Sequence, residues 1–348
     1  MKEVTKRILR YVVAIVLIVV SVWLAFRDVN LEKLWRIIIN ANYLYVLLPV
    51  PVIIMSHWVR ARRWKTMLEP ALEKKSPSTW NLFSAVMIGY AVNCVLPRGG
   101  EFVRPFVYSR REKVSYSTTF ATIIVERFID LLTLLLLFAF ALLIFGNVVV
   151  RILPEAKIGS VAMIVALLLF VLLISFYPPF FRFFIRVFVN PFSSKIYNRL
   201  NEIYDKFLQG FAVIKNKSQY FRLTLESLTI WFFYTVPLYI MFFAFDFQYT
   251  LDLGFDAAIF LIIVSGVGVT IAPTPGAVGV YHLLISGALV NLYGVDHEEA
   301  LAYATIAHFI NYLVQITIGG AFFFRENIKR IPREAEMAST MRNGQNKK

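Results

Sequence analysis

Cysteine is almost absent from this chain. Cys94 is the single one, which excludes an internal disulfide and any metal centre built on several thiolates. No metal-ligand constellation and no nucleophile beside a base can be picked out. No catalytic residue is therefore assigned, and neither metal nor cofactor is expected. Charge is scarce too, at 17% of residues against 58% hydrophobic, and apolar runs of about 18 residues recur along the length. The mean hydropathy of +0.65 agrees. Basic residues are nearly missing from one set of connecting segments. Segments 27–42, 146–157, 247–255 and 294–299 hold five Lys and Arg in all. Segments 1–10, 59–79, 98–117, 178–222 and 324–348 hold 30 of the 36, and Arg127 lies inside an apolar run.

The net charge of +14 could suggest nucleic acid, but its distribution is that of a membrane protein with its basic loops inside. No nucleic-acid partner is expected. The expected class is an all-α polytopic protein of the cell membrane with both termini cytoplasmic. A basic start and the run 11–26 resemble a signal peptide, but no small-residue cleavage pattern follows, so an uncleaved first span is expected. Leu31, Leu34, Trp35 and Ile38 recur at helical spacing, as in an outer interfacial helix.

Two interruptions organise the rest. The run 82–96 ends in Pro97, Gly99 and Gly100 with Arg98, Glu101 and Arg104 around them. The run 257–272 ends in Pro273-Thr274-Pro275-Gly276 and Gly279. Pro ends a helix and Gly permits turns closed to other residues. Irregular backbone at membrane depth requires a protein-lined or water-lined cavity. Paired interruptions in two halves point to a transporter's substrate site. The flanking charges make the first a re-entrant hairpin from inside and the second one from outside. With spans 11–26, 43–59, 117–145, 158–177, 223–245 and 300–324, this gives six spanning helices and two hairpins. Residues 1–325 form one transmembrane domain with inverted-topology repeats at about 43–145 and 223–324, followed by a basic cytoplasmic tail, 326–348. Segment 196–211 reads as an amphipathic surface helix joining the halves.

Candidate site residues gather at these breaks. Glu126, Arg127 and Asp130 begin roughly 13 Å into a span, where charges are costly unless paired or facing a cavity. Arg127 is expected to bridge both carboxylates, as a structural ion pair or as a substrate or proton site. His308 and Asn311 occupy the matching place in the second half, after Ala304-Thr-Ile pairs with Ala121-Thr-Ile. His308 is a titratable group that could relay protons. Arg98 and Arg104 offer forked donors to phosphate, joined by the amides of Gly99 and Gly100, with Glu101 neutralising one arginine. Asn93 precedes that break. Arg60, Arg63 and Trp64 are expected at the inner surface, as topology determinants in contact with headgroups.

The ordered set Arg60-x-x-Arg63-Trp64, Leu96-Pro-Arg-Gly-Gly-Glu-x-x-Arg-Pro105, Glu126-Arg127-x-x-Asp130 and Pro273-Thr-Pro-Gly-x-x-Gly279 resembles the flippase-like transmembrane family. Its best-known member is the membrane part of lysylphosphatidylglycerol synthase/flippase proteins. The resemblance spans roughly residues 8–325 and implies movement of a lipid with a bulky polar head, a phospholipid or glycolipid, between leaflets. Ala277 stands where the family leads one to expect a glycine, and His308 where an arginine is common. No synthase domain follows, so synthesis of lysylphosphatidylglycerol is not expected. A lipid-phosphate transferase, or a non-transporting partner of a separate lipid-modifying enzyme, are the competing readings. Association with such an enzyme or with a second copy of the chain is left open.

Overall fold

The computed structural model of the chain describes residues 15–27, 29–72, 76–144, 166, 170, 177–212, 217–271 and 274–326. Helices follow one another without a strand among the described residues. They are α1 (Ile15–Phe26), α2 (Leu31–Asn40), α3 (Tyr43–Leu47), α4 (Pro49–Leu68), α5 (Thr79–Val95), α6 (Gly100–Glu112) and α7 (Tyr116–Ile144). After them come α8 (Pro178–Phe188), α9 (Ser194–Ala212), α10 (Lys217–Phe242), α11 (Phe247–Thr250), α12 (Phe255–Ile271), α13 (Val280–Tyr293) and α14 (His297–Arg325).

Local chemistry sets the starts. Asn30 accepts from the amides of Glu32 and Lys33 at the head of α2, Ser78 from Asn81 in α5, and Asp296 from Glu298 and Glu299 in α14. Hydroxyls inside the helices bond back to the carbonyl four residues earlier, as at Ser227, Thr235, Ser286 and Thr305. In hydrocarbon such a bond spares a polar group that water cannot reach. Large apolar side chains point outward, including Leu44, Leu225, Phe232 and Phe309. This is an all-α polytopic membrane protein, wrapped in the residues a bilayer would solvate.

By length and composition, Tyr43–Leu68, Gln219–Phe242, Pro275–Tyr293 and His297–Arg325 can cross a membrane, while Ile15–Phe26, Thr79–Val95 and Phe255–Thr270 are shorter apolar helices. Helix α7, with 29 residues, is long enough but carries Glu126, Arg127 and Asp130 inside it. Within Pro275–Tyr293 the continuous α-helix is only α13, whose 14 residues reach about 21 Å, less than a bilayer core of about 30 Å. The expected span 158–177 lies outside the described residues except at 166, 170 and 177. So do the tail beyond 326, the whole basic N-terminal segment 1–10 and residues 11–14 of the expected first span.

Packing between elements falls into corresponding pairs. Helix α5 folds back on α6, and α12 on α13; α4 lies against α5, and α10 against α12; α6 packs on α7, and α13 on α14. The cross-pairs match as well, α5 with α14 and α7 with α12, and α4 meets α10 at the centre. Glycine makes the α5–α6 crossing. A Cβ on Gly100 would lie 2.0 Å from the carbonyl oxygen of Gly89, and one on Gly319 would lie 2.3 Å from that of Met87. Helix α5 therefore touches α6 and α14 backbone to backbone, as small residues allow in membranes. On the opposite flank Lys33 reaches Asp296 at 2.8 Å and Glu298 at 3.1 Å, pinning α2 to the head of α14.

Candidate functional site

Helix α4 does not stop at a membrane surface after residue 59. It continues to Leu68, and its spacing puts Arg60, Arg63 and Trp64 on one inward face while Arg62 and Lys65 face away. Arg63 and Trp64 are 0% exposed and Arg60 only 5%. This corrects the expected surface cluster: these side chains are internal, the two arginines paired with carboxylates of α7 and Trp64 with the hydroxyl of Thr122.

Six charges meet there. Arg104 of α6 donates from both terminal nitrogens to the two oxygens of Glu126, each at 2.8 Å, and its guanidinium lies 4.0 Å over the Trp64 ring. Trp64 Nε1 in turn donates to Thr122 Oγ1 at 2.8 Å. Arg127 contacts Glu126 Oε1 at 2.8 Å and Asp130 Oδ2 at 3.2 Å, as expected of a bridge. It does not act alone. Arg63 donates to Asp130 Oδ1 at 2.5 Å and to Ser227 Oγ of α10 at 3.0 Å. Arg60 donates to Asp130 Oδ2 and to the Tyr90 hydroxyl, which lies 3.2 Å from that of Tyr234. Glu126 is wholly buried. A small cavity of about 40 Å³ adjoins the network, lined among others by Arg60, Tyr90, Asn93, Glu101, Arg104 and Arg127.

The first break has a different construction from the one its glycines suggest. Gly99 has a helical φ of −61°, and it is Arg98, after Pro97, that takes the left-handed turn at φ 56°. The amide of Gly99 donates to Leu96 O, and that of Gly100 to Asn93 Oδ1 at 2.8 Å, so neither is free for an anion. Glu126, and not Glu101, is the carboxylate that holds Arg104. Arg98 is exposed and reaches Thr270 O at the end of α12, 3.0 Å away.

The second break closes on itself and on the first. Thr274 is buried and donates to Val278 O at 3.0 Å, while Gly276 and Gly279 adopt φ 57° and 80° after Pro275; Pro273 lies outside the described residues. Ala277 is left-handed as well, at φ 61°, a conformation that favours glycine. A Cβ on Gly276 would stand 3.4 Å from Cys94 Cα, and the Tyr312 hydroxyl donates to Cys94 O at 3.3 Å. The two interruptions are thus in contact. His308 Nε2 bonds Gly276 O at 2.7 Å, and its ring stacks on Tyr281 at 5.1 Å. Asn311 instead accepts from Gln315 at 2.9 Å on an exposed face, apart from His308.

Sequence reading did not single out Tyr90, Tyr234, Ser227 or His57. Tyr90 stands one turn before Asn93 on α5, and Ser227 and Tyr234 are seven residues apart on α10. That spacing marks one polar face. His57 packs 4.3 Å from the Tyr90 ring, and both its nitrogens lack a partner among the described residues. No group of three or more His, Cys, Asp or Glu suited to a metal occurs among the described residues.

Helices broken in pairs, an apolar exterior and a buried arginine–carboxylate network define an integral membrane protein with an internal polar site. Residues 11–319 match the family described as the lysylphosphatidylglycerol synthase TM region, and the chain belongs to that family. It is similar to a UPF0104 membrane protein of Pyrococcus horikoshii, 23% identical over 335 residues that cover 90% of this chain and 96% of the relative. Another UPF0104 membrane protein, from Methanocaldococcus jannaschii, is 31% identical over 125 residues, covering 35% of this chain and 36% of that protein. No solved structure matches the chain.

Proposed function

We infer that the chain moves a lipid with a phosphate-containing polar headgroup between the leaflets of the cell membrane, with both termini cytoplasmic. The observation that carries this reading is the cavity beside the buried network, which presents Arg60, Arg104 and Arg127 next to the point where the two breaks touch. Guanidinium groups present forked donors that match phosphate oxygens. The corresponding packing pairs of the two halves support an inverted repeat in which 80–116 enters from the inside and 256–293 from the outside. Binding and transport, not catalysis, is the role assigned to the site.

The test is reconstitution into sealed vesicles with headgroup-labelled phosphatidylglycerol and an impermeant quencher. Transport makes inner-leaflet lipid accessible, so quenching goes beyond the outer-leaflet share. Quenching equal to that of protein-free vesicles, for phosphatidylglycerol and for phosphatidate alike, rejects the reading.

A further inference from the structure

Both broken helices end on backbone carbonyls without a partner in their own helix, since an α-helix leaves its last acceptors free. In each case a donor comes from the other half of the chain. Arg98 of the first break donates from Nη2 to Thr270 O at 3.0 Å, in the last turn of α12. Tyr312 of α14 donates from its hydroxyl to Cys94 O at 3.3 Å, in the last turn of α5. A cation at a helix C-terminus also meets the negative end of the helix dipole. Between the two caps the halves nearly touch. A Cβ on Gly276 would stand 3.4 Å from Cys94 Cα, and Cys94 Sγ lies 3.5 Å from Gln315 Oε1.

The backbone at this seam is strained and lightly covered. Arg98 and Ala277 hold left-handed φ values of 56° and 61° without being glycine. Arg98 is exposed, and so are its neighbours Val95 and Leu96. Segments with few buried contacts open most readily. Asn93, Gly100 and Glu101 of the same break form part of the cavity wall. The cavity of about 40 Å³ has room for a few water molecules, whereas ligand pockets measure about 300–1,000 Å³. It is therefore closed in this conformation, and one of its walls is tied to the other half by the bonds of Arg98, Tyr312 and Cys94.

We propose that Cys94, Arg98, Thr270, Gly276 and Tyr312 form a gate: each half caps the other's broken helix, and the cavity admits a headgroup only when both caps let go. The proposal rests on the reading of the cavity as the headgroup site and adds the motion that opens it. Arg98 is then a latch on a carbonyl and not a donor to phosphate. Because the latch is a single hydrogen bond, it does not need the guanidinium fork, and a lysine of similar reach serves as well.

The single cysteine, buried at the seam, reports the gate without any added label site. The rate of Cys94 alkylation by N-ethylmaleimide is measured by intact mass on the full chain in phosphatidylcholine nanodiscs. Arg98→Ala and Tyr312→Phe, each removing one cap, are expected to react about tenfold or more faster than the parent. Arg98→Lys is expected to react at nearly the parent rate. An unchanged rate in Arg98→Ala overturns the proposal, because its bond is to α12 and Tyr312→Phe would by itself uncover the thiol locally. An acceleration matched by a fall in melting temperature overturns it too, as unfolding in place of gating.

A second arm locks the seam. Gly276→Cys is oxidised to a disulfide with Cys94 and compared with its own reduced form in sealed vesicles carrying labelled phosphatidylglycerol. The comparison within one variant removes any effect of the substitution on folding. Oxidation is expected to slow lipid movement at least about tenfold, with recovery on reduction. Equal rates in the two forms overturn the gate and leave the headgroup reading standing. If the reduced variant is inactive, the alkylation arm decides alone. No lipid movement by the parent overturns the headgroup reading and the gate with it.

Discussion

Arg104 and Glu126, 22 residues apart in sequence, share two parallel hydrogen bonds of 2.8 Å in the interior, and Glu126 Oε2 has Arg104 as its one hydrogen-bond donor among the described residues. Arg104→Ala removes that donor and empties the space over Trp64. Truncating one member of a buried pair costs about 3–5 kcal/mol, so this variant is expected to lose most folded protein in a thermal unfolding assay in detergent. Arg127→Ala is a different case. Each of its acceptors has another guanidinium, from Arg104, Arg60 or Arg63, so the expected cost is about 0.5–1.5 kcal/mol and the protein stays folded. Equal destabilisation by the two substitutions would contradict this division of roles.

Gly100→Ala places a methyl 2.0 Å from the Gly89 carbonyl oxygen, which is backbone and has little room to give. Helix α6 must then draw away from α5, at an expected cost of about 1–3 kcal/mol or more. Gly320→Ala, with nothing within 4 Å of the new Cβ, is the matched control and is expected to behave as the parent. The readout is the melting temperature of the purified variants.

Ala277→Gly relieves a left-handed residue in the second break and is expected to stabilise by about 1 kcal/mol. Gly276→Ala does the reverse. It puts a Cβ at φ 57° and 2.6 Å from the Tyr312 ring, and is expected to destabilise and to raise alkylation of the buried Cys94.

The attachment of α2 to α14 carries a pH dependence of known sign. Its hydrogen bonds to Asp296 and Glu298 raise the Lys33 pKa above its ordinary 10.5, and the bond from Lys33 lowers Asp296 below 3.8. The Lys33 contribution is therefore present below pH 10.5 and lost as pH rises through the raised value. The Asp296 contribution is present above pH 3.8 and lost as pH falls through the lowered one. Glu298, held below its ordinary 4.5 by Lys33 and the Asn30 amide, acts in the same sense as Asp296. Hydrogen exchange of α2, after correction for intrinsic rates, is therefore expected to be flat between pH 4.5 and 10.5 and faster outside that range. An inflection near pH 6 would mean that another group holds the helix.

The sequence discloses the helices and both breaks because proline, glycine and charge interrupt long apolar runs. It also discloses Glu126, Arg127 and Asp130, whose depth in a span is visible without a structure. It conceals the arginines of α4, since Arg60-Ala-Arg-Arg-Trp-Lys65 following an apolar run has the composition of a membrane-surface anchor. The helical spacing of Arg60, Arg63 and Trp64, with Arg62 and Lys65 on the other face, was the available signal. The choice between Glu101 and Glu126 as partner of Arg104 depends on how α6 folds back toward α7, and linear spacing carries no such information. The same holds for Gly100, whose role is close approach to Gly89 and not a left-handed turn.

Orientation can be read by labelling. Cysteines at Glu69 and Lys113 are expected to react with an impermeant maleimide only from the cytoplasmic side, and one at Asp252 only from the outside. Cys94, 4% exposed, gives little background. Reaction of position 113 from outside would turn α5 into a full crossing and remove the inverted repeat.

Lipid is expected to cross by way of the arginine-lined cavity. The most direct test is the rate of transbilayer movement of labelled phosphatidate and phosphatidylglycerol in vesicles carrying the parent, Arg127→Gln or Gly320→Ala at equal density of folded protein. The expected result is transport of one or both lipids by the parent, the same rate for Gly320→Ala, and a rate at least about tenfold lower for folded Arg127→Gln. A folded Arg127→Gln that transports both lipids at the parent rate would mean that lipid does not pass the arginine-lined cavity.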